Sequence, residues 1–132
     1  MERRGVVASP GGTSESMPHS SDKVVQEVRQ QGGVVLIRLA GEIDMHRTPE
    51  VLQAVEPHMQ SRPKRVVVDL SDVEYMDSSG VGTLVHLFRQ VNSNGGKLVL
   101  VKPNERVRSV FEITRLDRFF VICQDQQEAL KQ

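Results

Sequence analysis

The 132-residue sequence has little of several features that define common protein classes. It contains a single cysteine, no tryptophan, one tyrosine and four phenylalanines. One cysteine cannot form an intramolecular disulfide, and it excludes a zinc site built from several cysteines. Because aromatic residues are scarce, the composition also argues against a protein that stacks single-stranded bases and against a membrane-interface belt.

An excess of charge of one sign and long apolar runs are also missing. Lys and Arg together number 17, as do Asp and Glu, so the formal net charge is +0. A dedicated nucleic-acid binder needs a clustered excess of positive charge, so no direct nucleic-acid binding is expected. No stretch approaches the ~20 apolar residues of a transmembrane helix, and residues 5–8 are too short for the apolar part of a secretory signal. The expected location is the cytoplasm, with no membrane partner.

The chain does contain apolar segments in which the patterns of strands and of helices alternate. Residues 1–22 are rich in Ser, Gly and Pro and are expected to form a flexible N-terminal arm. Residues 23–132 are expected to form one folded domain, in which two strands joined at Gly32 and Gly33 form a hairpin. The predicted order β-β-α-β-α-β-α-β-α implies an α/β fold with a mixed, mainly parallel sheet, an antiparallel edge strand and about four helices.

Local signals predict the limits of the first helix. Thr48 followed by Pro49 is typical of a helix start in which Thr48 is the N-cap residue. Pro57 lacks a backbone N–H, so the helix is expected to kink there or to end near Glu56.

Other segments predict the buried strands and the second helix. The apolar run over residues 65–70 is typical of a strand with helices on both faces of its sheet. Either Asp77 or Ser78 is expected to cap the second helix. A last short strand is predicted over residues 119–122.

Residues 76–82, Met-Asp-Ser-Ser-Gly-Val-Gly, carry the most information about function. They follow a predicted parallel strand and begin a helix, a position where open α/β sheets commonly place their sites. A purely structural interpretation is an N-cap followed by Gly80 and Gly82, which would let the helix pack closely on the sheet. Three enzyme motifs are absent: the G-x-S-x-G elbow, the Walker loop and a complete dinucleotide fingerprint.

A second polar segment, residues 41–46, lies at the end of another strand. Glu42 and Asp44 form a carboxylate pair, but no further ligand lies at a helical spacing, so no metal site is predicted. Asp44 is expected to cap or to orient a loop. Because parallel strands end at one edge of a sheet, this loop and the start of the second helix should be neighbours. A hydroxyl of Ser78 between Asp44 and Asp77 has no basic partner, which suits a substrate of another enzyme better than a nucleophile.

Four segments together resemble a known family. They are residues 41–44, 66–71, 76–82 and 95–100, and in this order they closely resemble the STAS domain of bacterial anti-sigma factor antagonists. The resemblance covers the chain from about Lys23 to the C-terminus. It implies a STAS-type fold and a regulatory protein that is not an enzyme and has no cofactor.

The resemblance also implies a mechanism of partner switching. The unphosphorylated antagonist would bind an anti-sigma factor that is also a serine kinase, and would thereby free a sigma factor. The kinase would then use ATP to phosphorylate Ser78, and a PP2C-type phosphatase would reverse the modification. The residues expected to contact the partner are Asp44, Met45, His46, Met76, Asp77, Ser78, Ser79, Gly80 and Val81.

Two alternatives remain open at this point. A STAS-type module could instead serve as a scaffold or as a regulatory subunit of a transporter ATPase complex, with Ser78 acting only as a cap. A small hydrolase that uses Ser78 or Ser79 is disfavoured, because the sequence offers neither a base nor a nucleophile elbow.

Overall fold

The computed structural model describes residues 23–132, so the predicted arm over residues 1–22 lies outside the described residues. Within the described part, no helix is both long enough and apolar enough to cross a membrane. The strands and helices are β1 (Val25–Gln31), β2 (Val34–Ile43), α1 (Thr48–Met59), β3 (Arg65–Met76), α2 (Ser78–Ser93), β4 (Lys97–Val101), α3 (Glu105–Ile113), β5 (Val121–Cys123) and α4 (Gln126–Leu130).

The five strands form one sheet in the order β1-β2-β3-β4-β5. Strand β1 pairs with β2 in the antiparallel sense, and the other neighbouring strands are parallel. The hairpin turns at Gly32 and Gly33, whose φ angles of 56° and 83° lie in the left-handed region that glycine adopts without a Cβ penalty. The predicted mixed sheet with an antiparallel edge strand is confirmed.

The two faces of the sheet are covered unequally. Helices α1, α2 and α3 pack on one face, where alternate strand residues such as Ile37, Val68 and Leu100 are fully buried. The intervening strand residues point to the other face, where Val67 and Val99 pack with α4. Because side chains alternate along a strand, residues 66, 68 and 70 of β3 all serve the larger core.

Two strand limits differ from the prediction. Strand β3 continues six residues beyond Leu70, to Met76, and β2 continues to Ile43. Both extensions place exposed polar residues between the buried Ile43, Val73 and Met76, so they lack the continuous apolar run of a buried strand. They remain strands because they pair with each other through two register shifts, ending with Ile43 opposite Met76. This extension carries both strands to the surface where the candidate site lies.

The first helix also differs from the prediction. Its N-cap residue is Arg47, and the N–H of Thr48 donates to the carbonyl of Asp44 at 3.0 Å. The expected end near Glu56 is wrong, because the helix continues through Pro57 to Met59. Pro57 has no N–H to donate to the carbonyl of Gln53, four residues earlier. Both residues are exposed, so water can hydrogen-bond to that carbonyl.

The last strand begins later than predicted, at Val121 instead of Phe119. Phe120 precedes the strand as a buried core residue, with its ring edge-on to Phe111 at a centroid distance of 5.4 Å. Phe119 and Phe120 extend the apolar run of the sequence, but neither belongs to the strand: Phe120 packs beneath α3, and Phe119 is 60% exposed.

A buried carboxylate fastens α4 to the sheet. Asp69 is 8% exposed; its Oδ1 accepts from the N–H of Ser71 at 2.9 Å and from the Ser71 hydroxyl at 2.7 Å. Its Oδ2 accepts from Gln126 of α4 at 2.8 Å. Burial acts to raise the pKa of Asp69, but the hydrogen bonds from Ser71 and Gln126 outweigh burial and hold the pKa below its ordinary value. The ionised form therefore stabilises the fold.

Replacing this carboxylate should destabilise the domain in a pH-dependent way. We expect D69N to lower the free energy of unfolding at pH 7 by about 1–2 kcal/mol, because charge-assisted hydrogen bonds are lost. Since the pKa of Asp69 is lowered by folding, its contribution is present at neutral pH and is lost as the pH falls through the folded-state value. Urea unfolding should therefore show the difference between wild type and D69N narrowing below about pH 4.

The matched control is D72N. Asp72 is exposed and pairs with Arg38 at 3.6 Å, so its replacement should change the stability little at any pH. Equal effects of D69N and D72N would contradict the role given to Asp69.

Candidate functional site

Two segments of the chain meet where β2 and β3 end. The N–H of Asp77, directly after β3, donates to the carbonyl of Ile43 at 3.2 Å. The loop after β2 therefore lies beside the start of α2, as the parallel arrangement predicts. This juxtaposition brings Asp44, Met45 and Ser78 to one edge of the sheet.

Asp77 is the N-cap residue of α2. Its Oδ1 accepts from the backbone N–H groups of Ser79 at 2.9 Å and Gly80 at 3.1 Å, and from the Ser79 hydroxyl at 2.6 Å. The Ser79 hydroxyl is the largest influence that lowers the pKa of Asp77, and the backbone N–H groups of Gly80, Ser79 and Met45 act in the same direction. An ionised carboxylate therefore occupies the positive end of this helix.

Asp44 orients the loop on the opposite side of the site. Its Oδ1 accepts from the N–H of His46 at 3.0 Å and from that of Arg47 at 3.1 Å. The prediction that Asp44 caps or orients a loop is confirmed. With the loop fixed in this way, the side chain of Met45 is 66% exposed, which is unusual for an apolar residue of its size.

The two glycines of the segment have different roles. A Cβ on Gly80 would lie 2.6 Å from Cγ of Met76 and 2.7 Å from the carbonyl oxygen of Ile43. Gly80 is therefore needed for α2 to approach the ends of β2 and β3. A Cβ on Gly82 would meet no described atom within 4 Å. The predicted packing role is confirmed for Gly80 and is wrong for Gly82.

The two serines also differ. Ser78 is the first residue of α2 and its side chain is exposed. Ser79 is half-buried, and its hydroxyl donates to Asp77. An approaching protein can therefore reach the hydroxyl of Ser78 more readily than that of Ser79. Residues 23–132 contain no group of three or more His, Cys, Asp or Glu side chains that could hold a metal ion.

The structure divides the predicted contact residues into two groups. Three of them, Met76, Gly80 and Val81, are buried beneath the site. The others reach the surface, fully or in part: Asp44, Met45, His46, Asp77, Ser78 and Ser79. Gly82 and His86, which were not predicted to contact the partner, are exposed on the following turns of α2. They lie four and eight residues after Ser78 on the same helix.

Comparison with known proteins defines the class to which this fold and site belong. Residues 26–129 match the family model of the STAS domain. The chain therefore belongs to the STAS domain family.

Individual relatives show which proteins of known class this chain is similar to. The chain is 28% identical over 105 residues to the anti-sigma F factor antagonist of Paenibacillus polymyxa, which covers 79% of this chain and 90% of the relative. It is 32% identical over 80 residues to the anti-sigma-B factor antagonist of Staphylococcus aureus, which covers 61% and 74%. A crystal structure of an anti-sigma factor antagonist from Mycobacterium paratuberculosis superposes with a TM-score of 0.72 at 28% identity, and covers 80% of this chain and 89% of that one.

Removing the cap should test how the site is held together. We expect D77A to lower the free energy of unfolding by about 1–2 kcal/mol, because two N–H groups at the start of α2 lose their acceptor. D77N should cost much less, since an asparagine oxygen can still accept both bonds. Urea unfolding of both variants is the measurement, and a D77A protein as stable as wild type would show that the cap does not hold α2 in place.

Proposed function

We propose that the protein is a cytoplasmic anti-sigma factor antagonist that works by partner switching. In the unphosphorylated form it binds an anti-sigma factor that is also a serine kinase, and a sigma factor is released. The kinase transfers the terminal phosphoryl group of its own bound ATP to the hydroxyl of Ser78. A PP2C-type phosphatase hydrolyses the phosphoserine and restores binding. In this proposal the chain is a substrate and has no catalytic residue or cofactor of its own.

The observation that carries the proposal is the exposed hydroxyl of Ser78 beside an ionised N-cap. Ser78 stands at the first position of α2, next to Asp77 and near the loop that Asp44 orients. A nucleophilic serine needs a base to activate it. The carboxylates of Asp77, the preceding residue, and of Asp44 each accept hydrogen bonds from other groups. An exposed hydroxyl in such surroundings suits modification by another enzyme.

The cap explains why a phosphate at this place would act on a partner. Phosphoserine carries about −1.5 to −2 charge at pH 7. A free helix start could offset that charge, but the N–H groups of Ser79 and Gly80 already donate to Asp77. The phosphate would therefore add to the negative charge of Asp77 and Asp44. A partner docked here would have to desolvate it, and a loss of about 3 kcal/mol would weaken binding roughly 150-fold.

The same modification should leave the fold intact. The contacts that join α2 to the sheet are made by buried residues such as Met76, Gly80 and Val81, and the exposed side chain of Ser78 lies outside them. Phosphorylation would therefore change the charge of a surface without changing the packing beneath it. The switch requires only local electrostatics.

Substitution of Ser78 tests the proposal. Each anti-sigma factor of the source genome would be incubated with ATP and the protein, and the phosphorylated residue would be located by mass spectrometry. We expect phosphate on Ser78 in the wild type and none in S78A. The matched control S79A should still be phosphorylated at Ser78, since it removes a hydroxyl that donates to Asp77 and leaves that of Ser78 in place.

Binding of the same variants is the second measurement. S78A should bind the kinase with wild-type affinity, and this binding should persist in the presence of ATP. S78D should bind at least tenfold more weakly, because a carboxylate adds part of the phosphate charge. If S78A and S78D both bind as wild type does under all conditions, the role of Ser78 is wrong. Recovery of a transporter ATPase in place of a histidine-kinase-like ATPase would favour the scaffold alternative.

A further inference from the structure

Gly82 is a helix residue whose side-chain position is empty. It is the fifth residue of α2 and is exposed, and a Cβ built on it would meet no described atom within 4 Å. Its backbone is not in the left-handed region, unlike that of Gly95 at the end of the helix. Neither space nor backbone conformation among residues 23–132 therefore requires glycine at this position.

Glycine at such a place carries a cost. In an exposed helix interior glycine is less favourable than alanine, because it loses more backbone freedom on folding. At Gly80, two residues earlier, glycine is required by packing, since a Cβ there would collide with Met76 and Ile43. Gly82 destabilises the helix in the same way, although no contact inside the described chain requires glycine there.

The position of Gly82 connects this cost to the candidate site. Residues four apart lie on the same side of a helix, so Gly82 follows Ser78 at a rise of about 6 Å along the axis. His86 continues the same exposed side one turn further. The missing side chain therefore exposes the backbone of α2 directly beside the serine.

We propose that Gly82 is the point at which the anti-sigma factor approaches the backbone of α2, so that a side chain at this position weakens binding, and a larger one weakens it more. This inference rests on the proposed function and adds a specificity-determining residue to it. The backbone contact would place the active site of the kinase over Ser78, one turn away. Glycine would then make α2 less stable than alanine would, because the interface requires that no side chain cover the backbone at this position.

A size series at position 82 tests this inference. Ala and Leu have similar helix propensities, so G82A and G82L should both raise the melting temperature by about 4 °C. Binding to the anti-sigma factor, measured by calorimetry with ADP present, should weaken by about tenfold for G82A and by roughly a hundredfold for G82L. N92A is the matched control, because Asn92 is exposed on the same helix about 15 Å further along and should leave binding unchanged.

Three results would overturn the inference while leaving the proposed function standing. Wild-type affinity in both G82A and G82L would show that no backbone approach occurs. Equal weakening by Ala and Leu would show that glycine acts by loosening the helix, since a steric contact must depend on size. A change of oligomeric state in G82L without the kinase, seen by analytical ultracentrifugation, would assign the surface to a second copy of the chain. Failure of the wild-type protein to bind any anti-sigma factor would instead reject the proposed function itself.

Discussion

The carboxylate of Asp77 is the interaction on which the rest of the site depends. It satisfies the N–H groups of Ser79 and Gly80 at the start of α2, and it holds the hydroxyl of Ser79. The backbone N–H of the same residue joins the end of β2 at Ile43. One residue thus fixes the helix start against the ends of β2 and β3, and Ser78, the next residue, is exposed.

This arrangement separates the residues that hold the fold from Ser78, the residue that we propose is phosphorylated. Gly80 and Met76 lie below the surface and allow α2 to approach the sheet closely. Ser78 lies above them and contributes an exposed hydroxyl. Because Asp77 already occupies the helix end, added negative charge at Ser78 has little local compensation. In our proposal the phosphate changes the charge of the surface at Ser78, while the packing beneath that surface stays the same. The affinity for the partner can then change without unfolding of the domain.

Much of the fold could be predicted because it depends on local patterns. Alternating apolar strands, glycine turns and the cap at Asp77 all act within a few residues, and the mixed sheet follows from their order. Features set by distant contacts were missed. The extension of β3 to Met76 depends on pairing with β2, and the passage of α1 through Pro57 depends on which side of that helix faces water. The different roles of Gly80 and Gly82 could not be seen in the sequence, because only the packed structure shows which Cβ would collide.

The central claim is that a single phosphate on Ser78 changes affinity and not fold. The most direct measurement compares the dissociation constant of the anti-sigma factor for the unmodified protein and for the protein phosphorylated at Ser78, together with the melting temperatures of both forms. The account predicts an affinity lower by about a hundredfold for the phosphorylated form and nearly equal melting temperatures. Equal affinities, or a loss of affinity that comes with unfolding of the domain, would contradict it.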